Sequence, residues 1–158
     1  MFEKLEIRLA TTADIARIAS ITNSAFAIEK FIEGTRTDEA GVGAMMQKGV
    51  FLVAAKNSQI LASIYIELRG DRGYFGMLAV DPSQQGQGLA RIMIQAAEDY
   101  CRDQGCKVMD ITVLSLRPEL LPFYRKQGYM ETGTEEFHPS RPLRAGAACH
   151  CVTMSKAL

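Results

Sequence analysis

The sequence lacks an excess of charge of either sign, and it lacks long apolar runs. Eighteen lysines and arginines balance eighteen aspartates and glutamates among 158 residues. Because nucleic acids and anionic membranes select basic surfaces, this balance predicts neither a nucleic acid nor a membrane as partner. No apolar run approaches the roughly 20 residues of a membrane-spanning helix. The opening segment MFEKLEIRL also lacks the apolar stretch of a signal peptide, so we expect a cytoplasmic protein.

Cysteine is scarce, which excludes a dense disulfide framework. The four cysteines are Cys101, Cys106, Cys149 and Cys151. The last two flank His150, which would suit a metal site, but no second pair of ligands follows at finger-like spacing. On a strand the two thiols would share one face and His150 would point to the other. We therefore predict reduced, buried thiols and no bound metal, because free cysteine is among the most buried residue types.

The composition is that of one globular domain. Apolar residues make up 47% of the chain and charged residues 23%. These proportions exclude the kind of disorder that low hydrophobicity and high charge produce. A chain of this length buries roughly 68–70% of the surface that its unfolded form exposes, so it needs no covalent staples. The sequence predicts a single domain over residues 1–158, without internal repeats.

Strand and helix patterns alternate along the chain. Apolar runs and period-two alternation predict strands at Glu6–Leu9, Val50–Ala55, Ile60–Leu68, Tyr74–Val80, Lys107–Leu114, Tyr129–Gly133 and Cys149–Lys156. Helical spacing predicts helices at Ile15–Phe26, at Asp38–Lys48, from about Gly88 to just before Gly105, and from Pro118, as first helical residue, to about Gly128. Thr11 and Asp14 predict a capping box before the first helix.

The connections between these elements predict how the strands pair. Short turns join the three strands between Val50 and Val80, so these strands should form an antiparallel meander. A helix joins the strand ending at Val80 to the strand beginning at Lys107, so those two should run parallel. Alternation along the Ile60 strand places Ile60 on one face with its other isoleucines. The predicted fold class is α/β: a mixed, mostly antiparallel central sheet of about six to seven strands with helices on both faces.

One segment, LAVDPSQQGQGLARIMIQAAEDY, carries the functional signal: a strand, a glycine-rich turn and a helix. Gly86 and Gly88 let the backbone approach a ligand, and the helix N-terminus offers free N–H groups and a positive dipole end. Together they favour a pyrophosphate site, although a plain strand-to-helix turn has the same pattern. A dinucleotide site would need a third glycine where Arg91 stands, and it would follow the first strand of a doubly wound sheet.

A second motif makes this turn part of a family resemblance. Gln85, Gly88 and Ala90 match the pattern Q/R-x-x-G-x-G/A, and FYRKQGY, which begins at Phe123, matches F-Y-x-K-x-G-F/Y. In both motifs, and in the order of elements along nearly the whole chain, the sequence resembles the GCN5-related N-acetyltransferases (GNAT). It departs from the family where Arg117 replaces a frequent asparagine and where the turn lacks a basic residue.

The resemblance implies transfer of an acetyl group from acetyl-CoA, as cosubstrate, to a primary amine of a small molecule by direct attack. Tyr124 would protonate the departing thiolate, and backbone N–H groups near Leu78–Val80 would stabilise the oxyanion. The implied cofactor-binding residues are Leu78, Ala79, Val80, Gln85, Gly86, Gln87, Gly88, Leu89, Ala90, Arg91, Phe123 and Lys126. Relatives are often dimers, so we expect a monomer or a homodimer. A non-catalytic acyl-CoA-binding module on the same scaffold stays the alternative.

The base that would take the proton of the amine is less well defined. A free alkyl amine has a pKa near about 10, so a proton must leave before the amine attacks. Relatives often carry a glutamate on the strand before the turn, where this chain has no carboxylate between Tyr74 and Leu78. Glu67 on the neighbouring strand is the substitute that we predict. The alternatives are an exposed carboxylate without a role, or a water chain with no dedicated base.

The acceptor pocket should lie between the early loop and the junction that follows the fifth strand. Its predicted residues are Phe26, Glu29, Phe31, Arg36, Ser115 and Arg117. Arg36 and Arg117 would hold a substrate carboxylate through bidentate hydrogen bonds, which suits an amino acid or a similar small molecule. The alternative is that both are surface arginines. We expect the later loop, residues 137–139, to cover this site.

Overall fold

The computed structural model describes residues 4–139 and 141–158. Its strands are β1 (Glu6–Leu9), β2 (Val50–Lys56), β3 (Gln59–Arg69), β4 (Arg72–Val80), β5 (Val108–Leu114), β6 (Met130–Glu136) and β7 (His150–Ala157). Its α-helices are α1 (Ile15–Ala25), α2 (Glu39–Lys48), α3 (Leu89–Asp103) and α4 (Leu120–Lys126). In the described ranges, no helix is both long and apolar enough to cross a membrane.

The seven strands form one sheet in the order β1-β2-β3-β4-β5-β7-β6. β2, β3 and β4 form the predicted antiparallel meander. β4 and β5 run parallel, since the α3 crossover returns the chain to the same end of the sheet. The remaining neighbours, β1 with β2, β5 with β7 and β7 with β6, are antiparallel. The predicted fold class and the count of six to seven strands are confirmed.

Helices cover both faces of the sheet. α1 and α2 pack on one face, where Ile18 and Val42 are completely buried. α3 and α4 pack on the other face, where Met93 and Ala97 lie in the larger apolar core. Burial of this apolar surface is the main stabilising contribution to such a fold. Because α3 and α4 share a face, the glycine-rich turn before α3 and Tyr124 on α4 lie on the same side of the sheet.

Of the two predictions about how helices begin, one is confirmed and one is wrong. The backbone N–H of Thr11 donates to Oδ2 of Asp14 at 2.8 Å, and the predicted capping box before α1 is confirmed. The prediction that Pro118 is the first residue of α4 is wrong, because α4 begins at Leu120. Pro118 instead lies in the turn that leads into the helix, where its fixed φ angle is equally well tolerated.

A bulge near the start of β3 changes the face of one predicted core residue. Ala54 pairs with Ala62, but the next residue, Ala55, pairs with Ile60, so Leu61 is the extra residue. Ile60 therefore packs in the α1 core, whereas the alternating residues from Ala62 onward pack in the α3 core. The prediction that Ile60 shares a face with the other isoleucines of its strand is wrong.

The four cysteines are free thiols. Cys101, Cys106 and Cys151 are buried, which confirms the prediction for Cys151. Cys149 is only partly buried, because it precedes β7 rather than lying within it, so the prediction is wrong for this residue. Within residues 4–139 and 141–158, no three metal-ligating side chains are grouped so that they could hold an ion.

Candidate active site

A gap between two parallel strands forms the main cavity. β4 and β5 pair only where Arg72–Tyr74 meets residues 108–110, and beyond this segment no pairing joins them. Each strand keeps its other neighbour, because β4 stays paired to β3 and β5 pairs with β7 over its full length. The separated ends of both strands line a cavity of about 720 Å³. The sheet thus opens into a slot that reaches from one face to the other.

A second bulge shapes the β4 side of this slot. Ser63 pairs with Ala79 and Tyr65 pairs with Gly76, so β4 holds one extra residue between these pairs. Within that stretch Met77 has a φ of +52°, a left-handed conformation that is uncommon for residues other than glycine. Bulges near active sites re-aim the strand that carries them. The strained residue lines the cavity, so the irregular backbone lies where a ligand would meet β4.

The glycine-rich turn closes one end of the slot. Gly88 is the N-cap of α3, and it and Gly86 have φ angles of +79° and +84°. A Cβ built on either glycine would have no heavy atom within 4 Å, so the backbone here is open to a ligand. The first N–H groups of α3 have no helical acceptor, and the helix dipole is positive at this end. The turn can therefore bind an anion through backbone groups alone.

Most of the predicted cofactor-binding residues lie together at this end. The cavity is lined by Leu78, Val80, Gln85, Gly86, Gly88, Leu89, Ala90, Arg91 and Phe123. Three predicted residues lie outside the lining. Ala79 is buried in the α1 core, and Gln87 and Lys126 point to solvent. Ala79 points away from the cavity because neighbouring residues of a strand point to opposite faces of the sheet.

Tyr124 lies in the middle of the cavity wall, with its ring fixed by other aromatic rings. The ring centroids of Phe123, Phe75 and Tyr129 are 5.1, 6.1 and 6.1 Å from its own. Burial raises the pKa of its hydroxyl to about 12, and the nearby charge of Arg117 offsets only part of this shift. No hydrogen bond from the described residues reaches this hydroxyl. Tyr124 is therefore a neutral phenol, with its proton available to a ligand.

The other end of the cavity holds a buried carboxylate between two arginines. Oε1 of Glu29 accepts from Nη1 of Arg36 at 3.2 Å, and Oε2 accepts from Nη1 of Arg117 at 2.8 Å. The Arg36 guanidinium also stacks over the ring of Phe26, 5.1 Å from its centroid. These four residues, all predicted for the acceptor pocket, line the cavity. The structure thus brings together positions that are up to 91 residues apart in the sequence.

Of the residues predicted for the acceptor pocket and for the base, Phe31, Ser115 and Glu67 lie outside the cavity lining. The backbone carbonyl of Phe31 accepts from the N–H of Arg144, and the hydroxyl of Ser115 accepts from the N–H of His150. Glu67 accepts hydrogen bonds from the hydroxyl of Tyr65 at 2.8 Å and from Nε of a neighbouring arginine at 3.0 Å. Burial raises the pKa of Glu67, but these two hydrogen bonds outweigh it and leave the pKa below its usual value. Glu67 is thus a weaker base than an ordinary glutamate.

Several lining residues were not predicted from the sequence. Gly76 was detectable, because a glycine inside a strand often marks a close approach of a ligand or another chain. Met77 and the β5 residues 111–114 were not, because they continue ordinary apolar strand patterns. Glu135 and Glu136 at the end of β6 also line the cavity, and no motif marks them.

The loop after β6 lies over the acceptor end, as expected. Phe137 and His138 line the main cavity, and Pro139 lines a smaller neighbouring one of about 290 Å³. Backbone hydrogen bonds tie this loop to the early loop, including one of 2.9 Å from the N–H of Glu33 to the carbonyl of Pro142. The two loops therefore form one wall.

Comparison with known sequences gives one family. The sequence pattern of the acetyltransferase (GNAT) domain matches residues 19–140, which is most of the chain. An acetyltransferase of Yersinia pestis (strain Pestoides F) is 31% identical over 80 residues, which are 51% of this chain and 57% of that protein. The chain spans between about a third and somewhat over half of the length of the first curated relatives that it matches.

Comparison with solved structures gives the same fold. A ribosomal-protein-alanine N-acetyltransferase of Brucella melitensis superposes with a TM-score of 0.77 at 20% identity, covering 97% of this chain and 99% of that chain. A Salmonella typhimurium protein assigned as an acetyltransferase, solved with its cofactor acetyl-CoA, superposes with a TM-score of 0.74, also at 20% identity. That match covers 98% of this chain and 94% of the other. At such low identity the likeness supports the fold alone.

Proposed function

Because the chain belongs to the GNAT acetyltransferase family, we propose that it transfers the acetyl group of acetyl-CoA to the primary amine of a small molecule. The observation that carries this proposal is one cavity that joins three features. They are the glycine-rich turn, Tyr124, and the pocket formed by Glu29, Arg36 and Arg117, called the Glu29 pocket below. One end suits an anionic cosubstrate, the middle holds a proton donor, and the other end presents charged groups for an acceptor. A binding module alone would need only the first of these parts.

The glycine-rich turn fits the diphosphate of acetyl-CoA. Open space in front of Gly86 and Gly88 allows close approach, and the free N–H groups at the start of α3 supply donors. Arg91 on the first turn of α3 adds a cation at the same end of the cavity. When bound there, acetyl-CoA would supply an activated thioester for acyl transfer. Backbone N–H groups of the irregular β4 segment are the candidates for stabilising charge on its carbonyl oxygen.

Tyr124 would hold the proton that the departing sulfur requires. A phenol with a pKa of about 12 remains protonated across the pH range in which an amine becomes a nucleophile. Since no described group competes for this hydroxyl, it is free to donate to the thiolate. Glu67 lies outside the cavity, so we favour loss of the amine proton to solvent rather than to a dedicated base.

Thermal melting with acetyl-CoA tests the binding part of the proposal. A ligand that binds only the folded state raises the Tm, so acetyl-CoA should stabilise the chain and NAD(P) should not. Substitution Gly88→Ala should reduce the affinity for acetyl-CoA by roughly tenfold, because a methyl group and a strained left-handed alanine would stand at the cradle. An unchanged Tm with acetyl-CoA would contradict the proposal.

Gly105→Ala is the matched control for this experiment. Gly105 follows the opposite end of α3, has a φ of +88° and likewise has no heavy atom within 4 Å of a built Cβ. Both variants should lose a similar amount of stability, about 1 kcal/mol, from the left-handed conformation. Only the Gly88 variant should bind acetyl-CoA less tightly.

Release of free thiol from acetyl-CoA tests the catalytic part. Thiol should appear in proportion to an added amine, and mass spectrometry should find the acetylated amine. A non-catalytic acyl-CoA-binding module would instead show saturable binding of acetyl-CoA and no thiol release with any amine of a broad panel.

A further inference from the structure

The Glu29 pocket has a feature that acetyl transfer itself does not require. Glu29 is almost completely enclosed, with 3% of its side chain exposed, whereas the side chains of Arg36 and Arg117 are 22% and 16% exposed. All three residues line the cavity, but the two arginines are the more exposed and Glu29 is the most enclosed. Its role is to hold two cations side by side that would otherwise repel each other.

Both arginines keep hydrogen-bonding capacity for a ligand. Glu29 takes one Nη1 donor from each, and Nε of Arg117 donates to Glu119 at 3.1 Å at the rim. In the part of the chain that the structure describes, neither Nη2 group has a hydrogen-bond acceptor. A guanidinium has five N–H donors in a fixed plane, so two such groups held together form a site for an oxyanion.

The pocket is adjacent to the proposed reaction centre. The charge of Arg117 acts on the hydroxyl of Tyr124, and the charge of Arg36 acts on Tyr74 and Cys151 on neighbouring strands. Glu135 and Glu136 line the same cavity from β6, where they are exposed to water. The acceptor end thus presents the partly buried cations of Arg36 and Arg117 and, at its rim, the exposed carboxylates of β6. This arrangement suits a molecule that carries both a negative and a positive group.

We infer that the acceptor is an amine that also carries a carboxylate, as an amino acid does, and that Arg36 and Arg117 bind this carboxylate while Glu29 positions them. This inference rests on the proposed function. It assigns the specificity of the pocket to the two arginines and makes Glu29 a positioning residue, because each of its oxygens already accepts a hydrogen bond from one arginine.

Matched acceptors test the inference directly. The nineteen common amino acids that have a primary α-amine, all as L-enantiomers except achiral glycine, would each be compared with the corresponding amino acid amide, and the best acid also with its aminophosphonate analogue. For the preferred side chain, kcat/KM should be at least tenfold higher for the acid than for its amide, since the loss of a charged hydrogen bond has roughly that effect. Faster acetylation of the aminophosphonate would assign the site to a more highly charged anion and overturn the carboxylate assignment.

Variants of the pocket test which residues carry the preference. Arg36→Gln and Arg117→Gln should each abolish most of the difference between acid and amide while leaving the Kd for acetyl-CoA unchanged. Arg102→Gln, on an exposed arginine that pairs with Asp99 on the outer face of α3, is the control and should retain the full ratio. An unchanged ratio in both pocket variants would overturn the inference.

The Glu29 substitution needs a readout that separates positioning from folding. Glu29→Gln should raise KM for the acid and leave kcat and the Kd for acetyl-CoA close to the wild-type values, and Glu29→Asp should recover part of KM. If Glu29→Gln does not fold, the two arginine variants decide the matter. Equal rates for acids and amides in the wild type would refute the inference while the proposed function stood, whereas no acetylation of any amine would refute both.

Discussion

Replacing Tyr124 by phenylalanine isolates the proton donor from everything else that this side chain does. The aromatic ring contacts Phe75, Phe123 and Tyr129, and all of these contacts survive the change. The hydroxyl makes no hydrogen bond to a described residue, so no buried partner is left unsatisfied. We therefore expect the free energy of unfolding to change by less than about 0.5 kcal/mol.

The expected effect on catalysis is much larger. A positioned general acid contributes roughly 10²- to 10⁴-fold to a rate, so Tyr124→Phe should reduce kcat at least about a hundredfold, or about 2.7 kcal/mol of transition-state stabilisation. The Kd for acetyl-CoA should stay within about twofold, because the proposed diphosphate cradle lies at one end of the cavity and Tyr124 lies in its middle. Since the pKa of Tyr124 is about 12, the wild-type rate should show no loss from phenol ionisation up to pH 10.

Tyr129→Phe is the control, because it removes the same atom five positions along the chain. The hydroxyl of Tyr129 donates to Oε2 of the buried Glu98 at 2.7 Å, and Nζ of Lys156 binds both oxygens of the same carboxylate. Loss of such a charged hydrogen bond should lower the free energy of unfolding by roughly 1.5–3 kcal/mol. Its kcat should nevertheless remain near the wild-type value. Equal kcat values for wild type and Tyr124→Phe would refute the role of Tyr124.

Two further predictions concern carboxylates. Asp14 accepts from both Nη atoms of Arg8, and this interaction lowers the pKa of Asp14 to about 2. Asp14→Asn should therefore lower the free energy of unfolding by about 2 kcal/mol at pH 7. This difference should shrink as the pH falls from about 4 through 2, because the wild-type carboxylate is then protonated. Denaturant melts that give the same difference at pH 7 and pH 2 would contradict this prediction. Glu67→Gln should leave the acidic limb of the pH–rate profile unshifted, because this carboxylate lies outside the cavity; a shifted limb would restore Glu67 as the base.

The sequence predicts this fold well where the signals are local. The turn before α3 needs glycine at positions with positive φ, and Gly86 and Gly88 have such angles. Similarly, the capping box at Thr11 involves residues only three positions apart. The relative directions of β2 to β5 follow from the lengths of their connections, because a short turn allows only antiparallel neighbours and a helix allows a parallel one.

The sequence predicts poorly what depends on register or on distant partners. The bulge at Leu61 reverses the face of Ile60, and both faces of β3 are apolar enough that no pattern reveals it. The pairing of Glu29 with Arg117 spans 88 residues and depends on how two loops meet at the end of the open sheet. Residue type predicted that Arg117 would take part in binding, but only the structure shows the carboxylate that holds it.

The separation of β4 from β5 has a consequence beyond catalysis. A strand with an unpaired side is normally a place where another polypeptide can add itself, which promotes aggregation. Here the two unpaired sides face each other across a slot within one sheet, with helices and loops around it. In the described sheet, the outward-facing edges are therefore those of β1 and β6 alone, and the unpaired sides of β4 and β5 are turned inward.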